Sequence, residues 1–170
     1  KVDKSKWKKV KLGEVCEIAR GGSPRPINNY LTDDKNSFNW IKIGDAVEGS
    51  KYICSTKQKI KKEGLKKTRY VKAGDFLLTN SMSFGHPYIL KIDGCIHDGW
   101  LVISDTNNIF DKEFLYYLLD NPMMYSQFAS MAFGAVVRNL NTEVVKNVTV
   151  CYPPLYEQQA IAKELDSIQS

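Results

Sequence analysis

Between Tyr70 and Ser104 the chain reads as a series of short β elements, and this stretch most limits what it can fold into. Ala73-Gly74-Asp75 forms a turn into a strand over Phe76 to Thr79, and Tyr88 to Ile92 and Gly99 to Ile103 follow as strands. Asp93-Gly94 has the chemistry of a hairpin turn joining Ile92 to Cys95. Upstream, Val15 to Ala19 predicts a strand, and Trp40 to Asp45 a strand with one wet face. Lys57 to Lys67 predicts a short helix interrupted at Gly64. Downstream the pattern turns helical. Asp111 caps a helix over Lys112 to Asp120, Pro122 opens another running to Ala132, and Asn141 caps a third. A strand over Val148 to Tyr152 ends at Pro153-Pro154. Leu155 to Ile168 then predicts an amphipathic helix with Leu155, Ala162, Leu165 and Ile168 among its apolar positions. The expected class is α+β, with short, twisted, mostly antiparallel strands and several helices.

At 170 residues there is room for one domain, and 43% hydrophobic with 25% charged residues is the composition of a folded globular chain. No apolar stretch approaches the roughly 18 to 20 residues that cross a bilayer. The basic opening (Lys1, Lys4, Lys6, Lys8, Lys9, Lys11) is followed by Gly13, Glu14 and Glu17 where a signal peptide has its apolar core. A cytoplasmic location is therefore expected, with no membrane partner. Lys1 in place of a Met predicts an excerpt of a longer chain. The net charge of +5 is unevenly spread: residues 1–72 hold 19 Lys and Arg against 8 Asp and Glu, and residues 73–170 hold 5 against 11. Such asymmetry steers a polyanion to one face, although a solvated lysine-rich surface gives the same count.

Catalysis finds little support. Only His86 and His97 are available to assist a nucleophile, no G-x-S-x-G elbow is present, and the phosphate-cradling and dinucleotide glycine patterns are absent. His97 and Asp98 are neighbours, and neighbours on a strand point to opposite faces. Asn121-Pro122-Met123-Met124-Tyr125 and Tyr152-Pro153-Pro154-Leu155 only superficially resemble adenine-methyltransferase signatures. Asp33-Asp34-Lys35 ends like a metal-nuclease motif without its upstream carboxylate. Cys16, Cys54, Cys95 and Cys151 contain no CxxC pair and are expected to be reduced thiols, so neither metal nor other cofactor is expected.

A binding surface is easier to place. Lys57, Lys59, Lys61, Lys62, Lys66, Lys67 and Arg69 are opposed within their segment only by Glu63, and suit phosphate contact. Base reading needs donors and acceptors held at loop tips. The loops over 20–29, 80–87 and 134–141 offer Arg25, then Ser81, Ser83 and His86, then Arg138 and Asn139. Alternatively, Arg138 and Asn139 brace the turn before the helix capped by Asn141.

These segments combine into a pattern. Trp7 with Lys11-Leu12-Gly13-Glu14, Arg20-Gly21-Gly22-Ser23-Pro24, Trp40-Ile41-Lys42-Ile43-Gly44-Asp45, Ile60 with Glu63-Gly64-Leu65, and Gly74-Asp75-Phe76-Leu77-Leu78 come in order. They are followed by Gly134 through Asn139-Leu140-Asn141 and by Pro153-Pro154-Leu155-Tyr156-Glu157-Gln158 with Ile161-Ala162. Together they resemble a target recognition domain of a type I restriction-modification specificity subunit. The resemblance implies a non-catalytic module that reads half of a bipartite double-stranded DNA target. It also implies methyltransferase and motor-nuclease partner subunits, and a second recognition domain or a homodimer partner. On this reading residues 1–153 form the recognition domain. Residues 154–170 begin the family's spacer helix, with Leu165 and Ile168 as candidate docking residues. A half-length subunit, an excised domain and a chain of a related system all fit. A DNA-modifying enzyme or metal-dependent nuclease with an unrecognised site is the alternative, and a protein-interaction module a third reading.

Overall fold

The apolar runs Phe76–Thr79, Pro87–Leu90 and Trp100–Ser104 lack polar alternation because both faces of the sheet they form are covered. The computed structural model describes residues 4–80, 85–132 and 140–169. In chain order the strands and helices are β1 (Lys8–Lys11), α1 (Leu12–Val15), β2 (Glu17–Arg20), β3 (Leu31–Thr32), β4 (Phe38–Ile41), β5 (Tyr52–Ile53), β6 (Gln58–Ile60) and β7 (Arg69–Val71). They continue with β8 (Phe76–Thr79), β9 (Pro87–Leu90), β10 (Gly94–Ile96), β11 (Trp100–Ser104), α2 (Lys112–Leu119), α3 (Pro122–Ala132), α4 (Thr142–Asn147), β12 (Thr149–Tyr152) and α5 (Leu155–Gln169). Short 3-10 segments cover Ile27–Asn29, Ile43–Asp45 and Lys62–Lys67.

The strands form an inner sheet in the order β2-β11-β8-β9-β5, an outer sheet in the order β3-β6-β4-β10-β7, and a ribbon of β1 with β12. Only β4–β10 and β5–β9 pair in parallel among the described strands. The expected α+β class, mostly antiparallel, is the architecture found. Phe76, Leu78, Leu101 and Ile103 point from the inner sheet into the main core under α2, α3 and α5, where Phe114, Leu115, Phe128 and Ala162 meet them. Leu77, Leu90, Trp100 and Val102 point the other way and pack on Ile41, Val71 and Ile96 of the outer sheet. A third, small cluster of Trp40, Ile60 and Cys95 lies on the far face of the outer sheet under Ile27, Leu31 and Leu65.

Three local expectations are corrected. Asp93-Gly94 is not a hairpin turn, since β9 belongs to the inner sheet and β10 to the outer one. The Asp93 carboxylate accepts instead from Ala73 N–H at 2.7 Å as the chain crosses between sheets. Lys57–Lys67 is not a helix: Gln58–Ile60 pairs with β4, and only Lys62–Lys67 coils, as a 3-10 turn. The strand expected over Trp40–Asp45 stops at Ile41, because Asp45 folds back to accept from Lys42 N–H (2.8 Å) and Lys57 N–H (3.0 Å).

The helix signals hold. Asp111 accepts from Phe114 N–H at 3.0 Å and Asn141 from Val144 N–H at 2.9 Å, each satisfying a donor that its helix leaves open. The Pro-Pro-Leu-x-Glu-Gln segment has a physical reason in Gln158, which is 1% exposed. Its amide accepts from Asp111 N–H (2.8 Å) and donates to the carbonyls of Ile109 (3.1 Å) and Pro153 (3.0 Å). Further along α5, Asp166 accepts from Lys51 at 3.1 Å and from the Tyr117 hydroxyl. Lys51 also pairs with Glu113 and lies against the rings of Tyr52, Tyr116 and Tyr117. Burial alone would lower the Lys51 ammonium, but its bonds to Glu113 and Asp166 outweigh that and hold it above its ordinary value.

Candidate nucleic-acid interface

The charge asymmetry of the sequence becomes a spatial one only in part, since the lysines of β1 pair with β12 on the helical side, where Lys11 reaches Asn147, and the helices also carry Lys112, Lys146 and Lys163. The outer sheet is built from the lysine-rich first half plus β10, whereas α2 to α5 carry Glu113, Asp120, Glu143, Glu157, Glu164 and Asp166 on the opposite side of the inner sheet. Lys57 and Lys59 flank or lie on β6, and Arg69 lies on β7. In the sheet order these strands are three spacings apart, or about 14 Å. The turn Lys62–Lys67 bridges between them in sequence, with Leu65 in the small cluster beneath and Lys62, Lys66 and Lys67 exposed. Lys57 and Lys61 are exposed as well.

The basic residues are not equivalent. Lys59 donates to Asn39 at 2.8 Å, and Lys67 to the Tyr30 hydroxyl at 3.1 Å with its ammonium also over the Tyr30 ring. Arg69 donates through Nε to the Arg20 carbonyl at 2.7 Å. Among the described residues Lys57, Lys61, Lys62 and Lys66 have no side-chain ion pair. Four cations thus have no ion-pair partner among the described residues, and three are partly engaged in shaping the surface.

The loop around Arg25 is held by its two glycines through close approach, not through unusual backbone angles. A Cβ on Gly21 would lie 2.0 Å from the His97 carbonyl oxygen. With none present, Gly21 N–H reaches the Trp100 carbonyl (2.9 Å) and Gly22 N–H the Ile96 carbonyl (3.1 Å). The loop then turns across the outer sheet and forms one wall of a cleft of about 810 Å³. Arg25, Asn28, Lys42, Gln58 and His97 supply its polar lining, and Ile27, Leu31 and Trp40 its apolar one.

Asp98, on the turn after β10, joins the loops. Its Oδ1 accepts from the Ser23 hydroxyl at 2.9 Å, and its Oδ2 from Arg25 Nη2 at 3.3 Å. Its carbonyl accepts from Arg20 Nε (3.1 Å) and Asn80 Nδ2 (2.7 Å), and the Asn80 carbonyl in turn accepts from Leu140 N–H (2.7 Å). Arg20 and Asn80 therefore meet at Asp98, and Leu140 is linked to it only through Asn80. The Ser23 hydrogen bond, more than the nearby Arg25, holds the Asp98 carboxyl below its ordinary value. Sequence reasoning set Asp98 aside as a strand neighbour of His97. Both residues lie beyond the end of β10, so alternation does not apply and Nδ1 comes within 3.7 Å of Asp98 Oδ1. This is no ion pair: Nδ1 accepts from Gly99 N–H at 2.8 Å, and burial pushes the ring toward its neutral form.

The remaining candidates fall as follows. Ser81, Ser83, Arg138 and Asn139 lie outside the described residues. His86 is exposed at the rim of the inner sheet, 3.9 Å from Asp120 and edge-on to Tyr88. On α5, Ile168 is 73% exposed and Leu165 half-buried, while Ala162 belongs to the core, so the expected apolar stripe is divided between inside and outside. Burial raises the Cys16 and Cys95 thiols to about 12 and about 11, which keeps both protonated. Among the described residues no three His, Cys, Asp or Glu side chains gather to hold a metal ion, and no helix is long and apolar enough to cross a membrane.

The sequence model of the type I restriction modification DNA specificity domain matches residues 4–170. The chain is 27% identical over 163 residues to the type I restriction enzyme MjaIX specificity subunit of Methanocaldococcus jannaschii, covering 94% of this chain and 37% of that one. The HsdS subunit from Thermoanaerobacter tengcongensis shares the fold with a TM-score of 0.74 at 21% identity, over 97% of this chain and 37% of its own. A chain from a structure addressing complex assembly and conformational transition of the type I R-M system shares it with a TM-score of 0.77 at 22% identity, over 97% and 38%. This chain thus spans less than two fifths of the length of these relatives. With the family match running almost end to end, the chain belongs to the type I restriction-modification DNA specificity domain family.

Proposed function

We propose that this chain is a non-catalytic reader of double-stranded DNA that recognises one half of a bipartite target. It would direct methyltransferase and restriction subunits to that target. The observation that carries this reading is the placement of the free cations of the outer sheet on the same side of the molecule as the loop presenting Arg25. Cations set affinity and register on the backbone, and an arginine at a loop tip grips the two acceptors of guanine. Family membership supports the same reading, and relatives more than twice as long support a second recognition unit, in the same chain or in a second copy. Leu165 and Ile168 of α5 then belong to the surface that meets partner subunits.

Replacing Lys61, Lys62, Lys66 and Lys67 together by Gln tests the phosphate role. Affinity for selected and random duplexes should fall alike, and the slope of log affinity against log salt should flatten by about 0.9 for each phosphate left unneutralised. An unchanged slope would move the DNA elsewhere. Methyl transfer from labelled S-adenosylmethionine by the chain alone would overturn the non-catalytic part.

A further inference from the structure

We infer that Asp98 is a specificity-positioning residue, which fixes the Arg25 guanidinium so that one edge of it is presented for reading a base while its own charge keeps phosphate away. The inference rests on the DNA-reading function proposed above and goes beyond it by separating Arg25 from the other cations of the surface.

Arg25 has a side chain 78% exposed, and an arginine so exposed ordinarily samples many rotamers. Here Nη2 is bonded to Asp98 Oδ2, and Arg25 makes no other hydrogen bond among the described residues. A guanidinium carries five N–H donors in a plane, so an end-on bond through one nitrogen leaves the other edge open. That free edge is what the O6 and N7 acceptors of guanine require.

The carboxylate is itself held. Ser23 Oγ donates to Asp98 Oδ1 at 2.9 Å and accepts from Asp98 N–H at 3.2 Å, so the hydroxyl braces the residue from both sides. Its backbone is fixed as well, because the Asp98 carbonyl receives Arg20 and Asn80. These partners come from segments 18 to 78 residues away in sequence. The tie therefore aligns Arg25 with the folded frame and not merely with its own loop.

The charge has a second effect. Lys61, Lys62 and Lys66 have no carboxylate partner among the described residues and meet any phosphate freely. A carboxylate beside Arg25 disfavours a phosphate at that point and leaves an uncharged base edge as the better partner. Exposed ion pairs add little to stability, so this pair is better explained by orientation than by folding.

The test uses the full chain as wild type, Arg25→Ala, Asp98→Asn and the double variant, each selecting from a randomised duplex library. Asp98→Asn keeps one oxygen as the acceptor for Ser23 and the carbonyl for Arg20 and Asn80, and puts an NH2 donor in place of the oxygen that Arg25 bonds, so the charge and the Arg25 acceptor are lost together. Arg25→Ala should flatten base preference at one or two adjacent positions, by roughly tenfold to a hundredfold. Asp98→Asn should erode the same positions without weakening random-duplex binding, and the double variant should match Arg25→Ala. A full motif from Asp98→Asn, erosion at other positions, or additive losses in the double variant would overturn the inference. Ser23→Ala keeps both charges and loosens only the brace, so it should erode those positions more weakly. If it erodes nothing, the bracing argument falls. A wild type that enriches no motif sinks the DNA-reading function itself, whereas a wild-type motif left intact by Asp98→Asn sinks only the positioning role.

Discussion

The two faces of the inner sheet are built from alternate residues of the same strands, yet they support different work. On one face Phe76 and Leu78 lie in a core that also holds Phe110, Phe114, Phe128 and the buried faces of α2, α3 and α5. On the other, Leu77 and Trp100 meet an outer sheet whose strands are two to four residues long and whose own far face covers only a small cluster. The helical side has depth, a satisfied buried amide at Gln158 and surface acids, although the Trp7 indole N–H packed against it has no partner among the described residues. The outer sheet is thin, basic and edged by the loop that carries Arg25. Packing depth is concentrated on one side, and exposed cations and loops on the other, the usual division between a scaffold and the loops it presents.

The sharpest way to break this contrast uses neighbours on β8, both fully buried. Leu78→Ala and Leu77→Ala should each cost about 2 to 5 kcal/mol in chemical denaturation. Their local effects should differ: hydrogen exchange should accelerate first in α2 and α3 for Leu78→Ala, and in β4, β7 and β10 for Leu77→Ala. Identical exchange patterns would mean that the two layers open as one unit. Next in size, Gln158→Leu strands the Asp111 N–H and two carbonyls, and should cost about 1 to 3 kcal/mol with DNA affinity unchanged for the folded protein. A parallel loss of DNA affinity would couple the helical side to the proposed DNA-binding face.

The smallest effect concerns pH. The Asp98 carboxyl titrates below its ordinary value in the folded protein, so its stabilising contribution is complete above the unfolded value near 3.8 and fades as pH falls through the lower folded value. The difference in Tm between wild type and Asp98→Asn should be constant at neutral pH and shrink only below about pH 4. A difference that shrinks between pH 7 and 5 would assign the effect to another group.

What is legible in the sequence is local. Asp111, Pro122 and Asn141 announce helix starts because a cap or a first-turn proline acts within a few residues, and all three stand at the starts of α2, α3 and α4. The apolar strands are legible too, but not which sheet each joins. Turn chemistry at Asp93-Gly94 sets a bend and says nothing about the partner strand, and β10 finds β4 and β7 more than twenty residues away. The lysines of 57–67 suggest a helix because lysine tolerates one, and pairing of Gln58–Ile60 with β4 overrides that tendency. Arg25 stands out by its Gly and Pro neighbours. Asp98 does not, since its partners Ser23 and Arg25 lie 75 and 73 residues away and nothing local marks it.

The clasp around Lys51 has a geometric consequence. Helix α5 is fastened to the body at Gln158 and again at Asp166, eight residues on, which gives a baseline of about 12 Å. Two fastenings define an aim. A slip of about 1 Å at the Asp166 end turns the axis by about 5°. The direction of this helix is therefore set by one lysine, two carboxylates and a tyrosine hydroxyl, and its accuracy by how firmly Lys51 is gripped.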